Sequence, residues 1–148
     1  MGKINLKHNY LLKALKTLKN AIDNLKKIEL IDKNQKIGFL DHEEAYRSFR
    51  DSLIQRFEIS TDLFWKYLKI YLEDKIKIIP EANVPKPVIK ATCKAKLISE
   101  KDSEMLLEMI QKRNLTSHIY KEEIADIVCK GIPTYFELMD KYSKQLTP

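Results

Sequence analysis

Arginine, asparagine, histidine and tyrosine side chains lie within one run of eight residues, from Arg113 to Tyr120. Histidine side chains titrate near neutral pH, so His118 can serve as a general acid or base. The guanidinium fork of Arg113 matches a phosphate and can stabilise the charge that develops on it during transfer. An imidazole and a guanidinium are the smallest set of catalytic groups that can cleave an RNA phosphodiester without a metal ion. One activates the 2′-hydroxyl or protonates the leaving oxygen, while the arginine holds the phosphate.

A structural role explains the same spacing. An arginine five positions before a histidine is a weak signal in a chain that contains several of each. In this alternative, Arg113 pairs on the surface with Glu108 or Glu104, His118 caps a helix and Tyr120 packs into the core. Spacing alone favours this structural alternative.

Other kinds of site are not indicated. The sequence has no glycine-rich phosphate loop, no G-x-S-x-G turn and no H-E-x-x-H pair. Cys93 and Cys129 have no second Cys or His at metal-ligand spacing, so we expect no zinc site, no cofactor and two small buried hydrophobic residues. His8 and His42 are expected to be bystanders.

The residues near the motif must be positioned by helices. The chain has 148 residues, 44% of them hydrophobic, and only 3 Gly and 5 Pro, which argues against an all-β fold. The sequence therefore predicts one all-α domain over residues 1–148, an up-and-down bundle of four long helices plus a short one. Helical periodicity places the helices at about 4–30, from Asp41 to about Leu72, at Pro87–Lys96, from Ser99 or Asp102 onward, and at about 121–145.

Local signals refine these elements. Asp41 is a suitable N-cap for the second helix. The prolines between residues 74 and 87 exclude a continuous helix there, and Ile76, Ile78 and Ile79 are expected to form a packed loop. A kink or restart is expected at Pro133 in the last helix.

The second helix carries aromatic and charged residues whose roles need not be chemical. Phe57, Phe64 and Trp65 are expected in the core or in a dimer contact rather than as base-stacking groups. Arg56 and Glu58 are expected to form ion pairs that orient helices or a dimer.

Positive charge is unevenly distributed. The net charge is +6, and residues 1–40 hold 9 Lys against 3 acidic residues, while residues 100–148 hold 7 basic and 9 acidic residues. A second basic stretch, residues 75–96, has six Lys and one Glu. The lysines of the first helix are expected to form a solvated face. A polyanionic partner is one further interpretation of this excess, and RNA would then lie on these flanking surfaces.

Targeting signals are not evident. No signal peptide is visible, and no apolar run approaches the roughly 18 residues that a bilayer span requires. The sequence therefore predicts a soluble, cytoplasmic protein with no membrane partner.

The run from Arg113 to Tyr120 matches Arg-x4-His-x-Tyr, and this pattern resembles the signature of HEPN (higher eukaryotes and prokaryotes nucleotide-binding) ribonuclease toxins. The surroundings resemble one branch, which pairs with a minimal nucleotidyltransferase (MNT) antitoxin and is also known as nucleotidyltransferase substrate-binding protein. The branch often has Gly where this chain has Lys96. The resemblance covers about residues 40–125 and includes the segments 51–58, 63–68, 87–91 and Leu97-Ile98, in the family's order.

The resemblance implies a function and a partner. Arg113 and His118 would be the catalytic pair of a metal-independent endoribonuclease, with Asn114 as a polar support. Two copies of the motif would line the cleft of a homodimer that takes RNA. The partner nucleotidyltransferase of a type VII-like toxin–antitoxin pair would neutralise the toxin by transferring AMP to Tyr120. The alternatives are a non-catalytic substrate-binding subunit of a nucleotidyltransferase and a purely structural dimeric bundle.

Overall fold

The computed structural model describes residues 2–148, which form five α-helices and no β-strand. α2 packs against all four other helices, α1 and α4 also pack on α5, and α3 packs on α4. The predicted all-α bundle of four long helices and one short helix is therefore confirmed. The helices are α1 (Lys3–Glu29), α2 (His42–Tyr71), α3 (Pro85–Lys94), α4 (Glu100–Asn114) and α5 (Glu122–Gln145).

α1 is amphipathic, as its periodicity predicts. One stripe faces the core, and the lysines on the other side are exposed, so the expected solvated face is confirmed. None of the helices within residues 2–148 has an apolar stretch long enough to cross a membrane. The buried stripe consists of Leu11, Leu15, Leu18, Ile22, Leu25 and Ile28.

α2 begins at a side-chain cap. The Asp41 carboxylate accepts a hydrogen bond from the backbone N–H of Glu44 at 2.8 Å, so the predicted N-cap is confirmed. Phe57, Phe64 and Trp65 are all buried in the core, as expected for apolar packing rather than base stacking.

The segment between α2 and α3 differs from the predicted packed loop. Residues Leu72–Ile76 form a π-helical turn, and Lys77 then adopts a left-handed backbone with φ 65°. Ile79 is 85% exposed and Ile78 is also exposed, whereas Ile76 is half-buried, so the expectation of a packed loop is wrong for Ile78 and Ile79. Pro80 is buried again after this left-handed turn, and α3 begins at Pro85, two residues before the predicted start.

α3 and α4 are joined by a tight reversal at Lys96. The Lys96 N–H donates to the Cys93 carbonyl at 2.9 Å, and the Leu97 N–H donates to the Thr92 carbonyl at 3.2 Å. This pair of bonds is a Schellman motif, and it places Lys96 in the left-handed region with φ 62°. Ser99, not Asp102, then caps α4, because its hydroxyl accepts from the Asp102 N–H at 3.0 Å.

α5 runs unbroken through Pro133, so the alternative of a restart there is wrong. Pro133 has no N–H to donate to the carbonyl of Cys129, which costs the helix one hydrogen bond. Val128, Ile132 and Phe136 on the same helix are buried, and this packing outweighs the missing bond.

Neither Cys93 nor Cys129 forms a disulfide within residues 2–148, and both are only half-buried, less buried than the sequence predicts. Burial raises the pKa of the Cys129 thiol to about 12. Because the thiolate is the nucleophilic form, Cys129 is unreactive at neutral pH.

Candidate functional site

Arg113 lies in the last turn of α4 and is held by a carboxylate of α2. Its Nε and Nη2 donate to the two carboxylate oxygens of Asp62, each at 3.1 Å, in a bidentate contact. Glu58, one helical turn before Asp62, lies with its Oε2 3.2 Å from Nη1 of the same guanidinium. Two carboxylates therefore surround one cation, and this cluster carries a net negative charge.

The backbone after Arg113 is fixed by Thr116. Its buried hydroxyl accepts a hydrogen bond from Arg113 Nη1 at 3.0 Å and donates to the Arg113 carbonyl at 2.8 Å. This closed pair lies at a short 3₁₀ turn, Leu115–His118, that follows α4 directly. Arg113 is therefore held at both its side chain and its backbone.

The electrostatics of the guanidinium follow from these contacts. Hydrogen bonding to Asp62 raises the pKa of Arg113, and the charges of Asp62 and Glu58 add to the effect against the opposing cost of burial. Hydrogen bonds to Asp62 and Thr116 occupy three of the five N–H groups, and the Glu58 carboxylate adds an ion-pair contact at Nη1. The second N–H of Nη2 has no hydrogen-bond partner among the described residues.

The structural alternative assigned other partners to Arg113, and the structure corrects it. Glu108 and Glu104 lie five and nine positions before Arg113, whereas neighbours on one helix face are three or four apart. Glu108 instead accepts a hydrogen bond from the Tyr135 hydroxyl at 2.8 Å. Sequence analysis anticipated an ion pair for Glu58 but missed Asp62. No ion pair involves Arg56 within residues 2–148, so the expectation of one within this chain is wrong.

His118 and Tyr120 are both exposed, and they lie side by side. Their ring centroids are 6.1 Å apart in an edge-on arrangement. The Tyr120 side chain is 74% exposed, with Lys121 Nζ 5.9 Å from its ring centroid. The alternative in which Tyr120 packs into the core is therefore wrong. The His118 side chain does not cap α5 either, because Lys121 is the N-cap residue and no side chain bonds there.

The predicted site residues thus fall into two groups. Arg113 is tied to α2, while His118 and Tyr120 lie together on the following turn, and no hydrogen bond joins Arg113 to His118 within residues 2–148. Asn114 is the last residue of α4, and its side chain is exposed. The arrangement leaves the imidazole and the phenol open to a ligand from solvent.

A second arginine, which the sequence did not indicate as a site residue, fixes the start of α5, just after the exposed turn that carries His118 and Tyr120. Arg50 of α2 is only 3% exposed. Its Nη1 lies 2.5 Å from the Glu122 carboxylate in the first turn of α5, and its Nε and Nη2 each donate to Asp51 at 3.2 Å. The contact with Arg50 lowers the pKa of Glu122, chiefly through the hydrogen bond that Arg50 donates.

A sequence signal for Arg50 exists. Tyr46, Arg50, Leu53 and Phe57 follow one another at steps of four, three and four, so Arg50 occupies the apolar stripe of α2. A buried arginine at such a position requires carboxylate partners. Residues 114–121 are consequently held between two ion pairs with α2, Arg113–Asp62 and Arg50–Glu122. The α2 members of these pairs, Arg50 and Asp62, are twelve residues or about 18 Å apart.

The remaining histidines have structural partners. His8 Nε2 donates to the Ser143 carbonyl at 2.8 Å, and His42 Nε2 donates to the Ile28 carbonyl at 2.8 Å. Two cavities of about 640 Å³ lie away from the motif. One is lined by residues around His42 and Tyr46, and the other lies between the 93–100 segment and Tyr142. The motif itself is on an open surface.

The sequence matches the family described as "Nucleotidyltransferase substrate binding protein like" over residues 8–148. The chain belongs to this family. The match confirms the family that the Arg113–Tyr120 motif and its surroundings indicate. None of the curated proteins matches the sequence.

Solved structures share the fold of this family member. A crystal structure from Thermus thermophilus is similar with a TM-score of 0.65 and 27% identity, covering 88% of this chain and 99% of the other. A toxin–antitoxin complex solved with AMP-PNP has a TM-score of 0.65 at 16% identity, and the match covers 99% of this chain and 100% of the other. A tri-AMPylated Shewanella oneidensis HEPN toxin in complex with MNT antitoxin has a TM-score of 0.63 at 17% identity, and the match covers 98% of this chain and 97% of the other. The family fold is thus that of the HEPN toxins.

Proposed function

We propose that this protein is the toxin ribonuclease of an MNT/HEPN pair. The observation that carries the proposal is the exposed His118–Tyr120 pair, which directly follows an arginine anchored on α2. The family match and the shared fold with a HEPN toxin in complex with MNT antitoxin support it.

The proposed reaction is metal-independent transesterification of RNA. The 2′-oxygen attacks the adjacent phosphorus and the bond to the 5′-oxygen breaks, which gives a 2′,3′-cyclic phosphate and a 5′-hydroxyl. His118 takes the proton of the 2′-hydroxyl or gives one to the leaving oxygen. The second Nη2 N–H of Arg113 binds a phosphate oxygen, and Asn114 supports the site with its exposed amide. In a homodimer, a second His118 supplies the other proton transfer.

The same exposed turn suits modification. The Tyr120 oxygen would attack the α-phosphorus of ATP held by the nucleotidyltransferase, its proton would leave to a base of that enzyme, and pyrophosphate would depart. The resulting phosphodiester places a negative charge beside His118, where it repels RNA phosphates and fills the space next to the imidazole.

Cleavage in the presence of a chelator tests the ribonuclease. Purified protein is incubated with RNA and EDTA, and the products are examined for cyclic-phosphate ends. We expect His118→Ala to abolish cleavage and growth inhibition, whereas Ser117→Ala on the same exposed turn retains both. Undiminished cleavage by His118→Ala with an intact helical circular dichroism spectrum would refute the catalytic assignment.

Label transfer tests the modification site. The protein is incubated with a minimal nucleotidyltransferase of the MNT antitoxin type and ATP labelled at the α-phosphate. We expect label on the wild type and on Tyr10→Phe, which alters another exposed tyrosine, but not on Tyr120→Phe. Equal labelling of Tyr120→Phe would place the modification elsewhere.

A second candidate is a non-catalytic subunit that presents substrate to a nucleotidyltransferase. The family description favours it, and so does the engagement of Arg113 by Asp62 and Glu58, since two carboxylates already neutralise the guanidinium. This candidate predicts no RNA cleavage by the purified protein and a loss of nucleotidyl transfer when the protein is omitted. The chelator assay therefore separates the two functions.

A further inference from the structure

The exposed face of α3 consists of lysine alone. Lys86, Lys90 and Lys94 are exposed, and every other residue of α3 is partly or fully buried. The three lysines are four residues apart, so they form a row on one side of the helix with a rise of about 6 Å per step. We call these three residues the α3 lysine row.

The α3 lysine row is not neutralised within the chain. No ion pair within residues 2–148 involves any of its members, whereas Lys19, Lys69, Lys141 and Lys144 each contact a carboxylate. Like charges four residues apart on a helix repel one another and destabilise it. An external anion would remove that repulsion.

A groove lies beside the row. A cavity of about 350 Å³ is lined by all three lysines and by the segment 78–81, which includes the exposed Ile79. Glu81 is the one acidic residue in this lining. The groove therefore offers an apolar surface next to three unpaired cations.

The candidate catalytic site lacks such an excess of positive charge. Asp62 and Glu58 together outweigh the charge of Arg113, and Lys121, beside Tyr120, is followed by Glu122 and Glu123 in the first turn of α5. A strand of phosphates is not attracted there by charge alone. If the substrate is a polyanion, another surface of the protein must hold it.

We propose that the α3 lysine row binds the phosphate backbone of single-stranded RNA, an inference that rests on the proposed function for its ligand. α3 packs on α4, and the last turn of α4 carries Arg113, so a strand bound along α3 lies on the helix pair that presents the site. Every RNA unit carries one phosphate, which suits a row of equivalent cations, and the isoleucines of the groove can contact ribose or base.

Fluorescence anisotropy with a labelled oligoribonucleotide of about 20 nucleotides tests this surface. All binding is measured in the His118→Ala background, so that the probe is not cut. The test variant carries Lys86→Gln, Lys90→Gln and Lys94→Gln. The matched control carries Lys13→Gln, Lys16→Gln and Lys26→Gln on α1, which are exposed lysines without ion pairs and give the same change in net charge.

We expect the α3 variant to bind at least about tenfold more weakly at low salt, with a salt slope smaller by about 2, because each lost phosphate contact removes about 0.7. The α1 control should retain the wild-type slope. Equal weakening of both variants, or of neither, would overturn the assignment. Competition by polyglutamate as effective as that by unlabelled RNA would also overturn it, since the row would then dock an acidic protein.

The experiments distinguish a refutation of RNA binding by the α3 lysine row from a refutation of the proposed ribonuclease activity. If the wild type cleaves RNA while both lysine variants bind RNA like the His118→Ala parent, the surface is wrong and the ribonuclease stands. If the α3 variant alone loses binding and the wild type does not cleave, the surface stands and the ribonuclease is wrong.

Discussion

Asp62 on α2 binds both Nε and Nη2 of Arg113 on α4, at 3.1 Å each, across 51 residues of sequence. This contact sets the direction of the guanidinium before any ligand arrives. It also limits what Arg113 can offer to a phosphate, because Thr116 accepts a further hydrogen bond from Nη1 and the Glu58 carboxylate lies 3.2 Å from the same nitrogen. The contact thus couples the packing of two helices to the chemistry of the candidate site.

Asp62→Ala should lower the free energy of unfolding by about 1 kcal/mol, since a half-exposed bidentate ion pair between two helices is lost. Urea denaturation monitored by circular dichroism measures it. Glu43→Ala, which removes an exposed pair with Arg47 within α2, is the control and should change stability by less than about 0.5 kcal/mol. RNA cleavage by Asp62→Ala should fall because Arg113 loses its fixed orientation. Higher cleavage would show that Asp62 restrains the arginine instead.

Arg50→Met should loosen the start of α5. The variant leaves Glu122 and Asp51 without their buried cation, and we expect a loss of about 2 kcal/mol in unfolding free energy together with faster amide exchange at residues 122–126. Hydrogen exchange followed by mass spectrometry measures the second effect. Arg47→Met removes an exposed arginine whose Nε lies 3.7 Å from the same Glu122 carboxylate and should leave exchange nearly unchanged. Equal exchange in the two variants would contradict the role of Arg50.

Lys96→Gly should stabilise the protein. Lys96 has φ 62°, a conformation that glycine adopts without the strain of a Cβ atom, and we expect a gain of up to about 1 kcal/mol. Lys90→Gly, at an exposed right-handed position inside α3, should instead cost about 1 kcal/mol. Thermal denaturation of the two variants checks the sign. A loss of stability in Lys96→Gly would show that the lysine has a compensating contact.

Asp102 should contribute a pH-dependent part of the stability. Hydrogen bonds from the Tyr142 hydroxyl and then from Lys141 lower the pKa of its carboxyl. A carboxyl with a lower pKa in the folded state stabilises the protein above its unfolded pKa near 3.8, and this contribution is lost as the pH falls through the folded value. Asp102→Asn should therefore be less stable than the wild type at neutral pH, with a difference that shrinks below about pH 4.

Denaturant titrations from pH 7 to pH 3 measure that difference. Glu104→Gln replaces an exposed carboxylate on the same helix that has no ion pair within residues 2–148, so its stability should follow the wild-type curve at every pH. A constant gap between Asp102→Asn and the wild type would refute the linkage.

The helices could be predicted because their signals are local. The apolar stripe of α1 and the Asp41 cap are patterns of residues close together in the sequence, so both can be recognised without knowing the rest of the fold. The family also follows from the sequence, because the types and order of the residues around Arg113 and His118 are written there. The resemblance places a glycine where this chain has Lys96. The structure explains why glycine suits that position, because Lys96 has a left-handed backbone at the end of α3.

The partners of the site residues depend on tertiary packing. Asp62 reaches Arg113, and Arg50 reaches Glu122, only because α2 lies against both α4 and α5. The rotation of each helix about its axis is set by the whole core, and a rotation of a few tens of degrees would bring other carboxylates forward. Tyr120 is exposed because, in the segment between the two arginine contacts, Leu115, Thr116 and Ile119 turn toward the core and Tyr120 is left on the outside. Local sequence specifies which groups are present, and the packing of α2 specifies which of them meet.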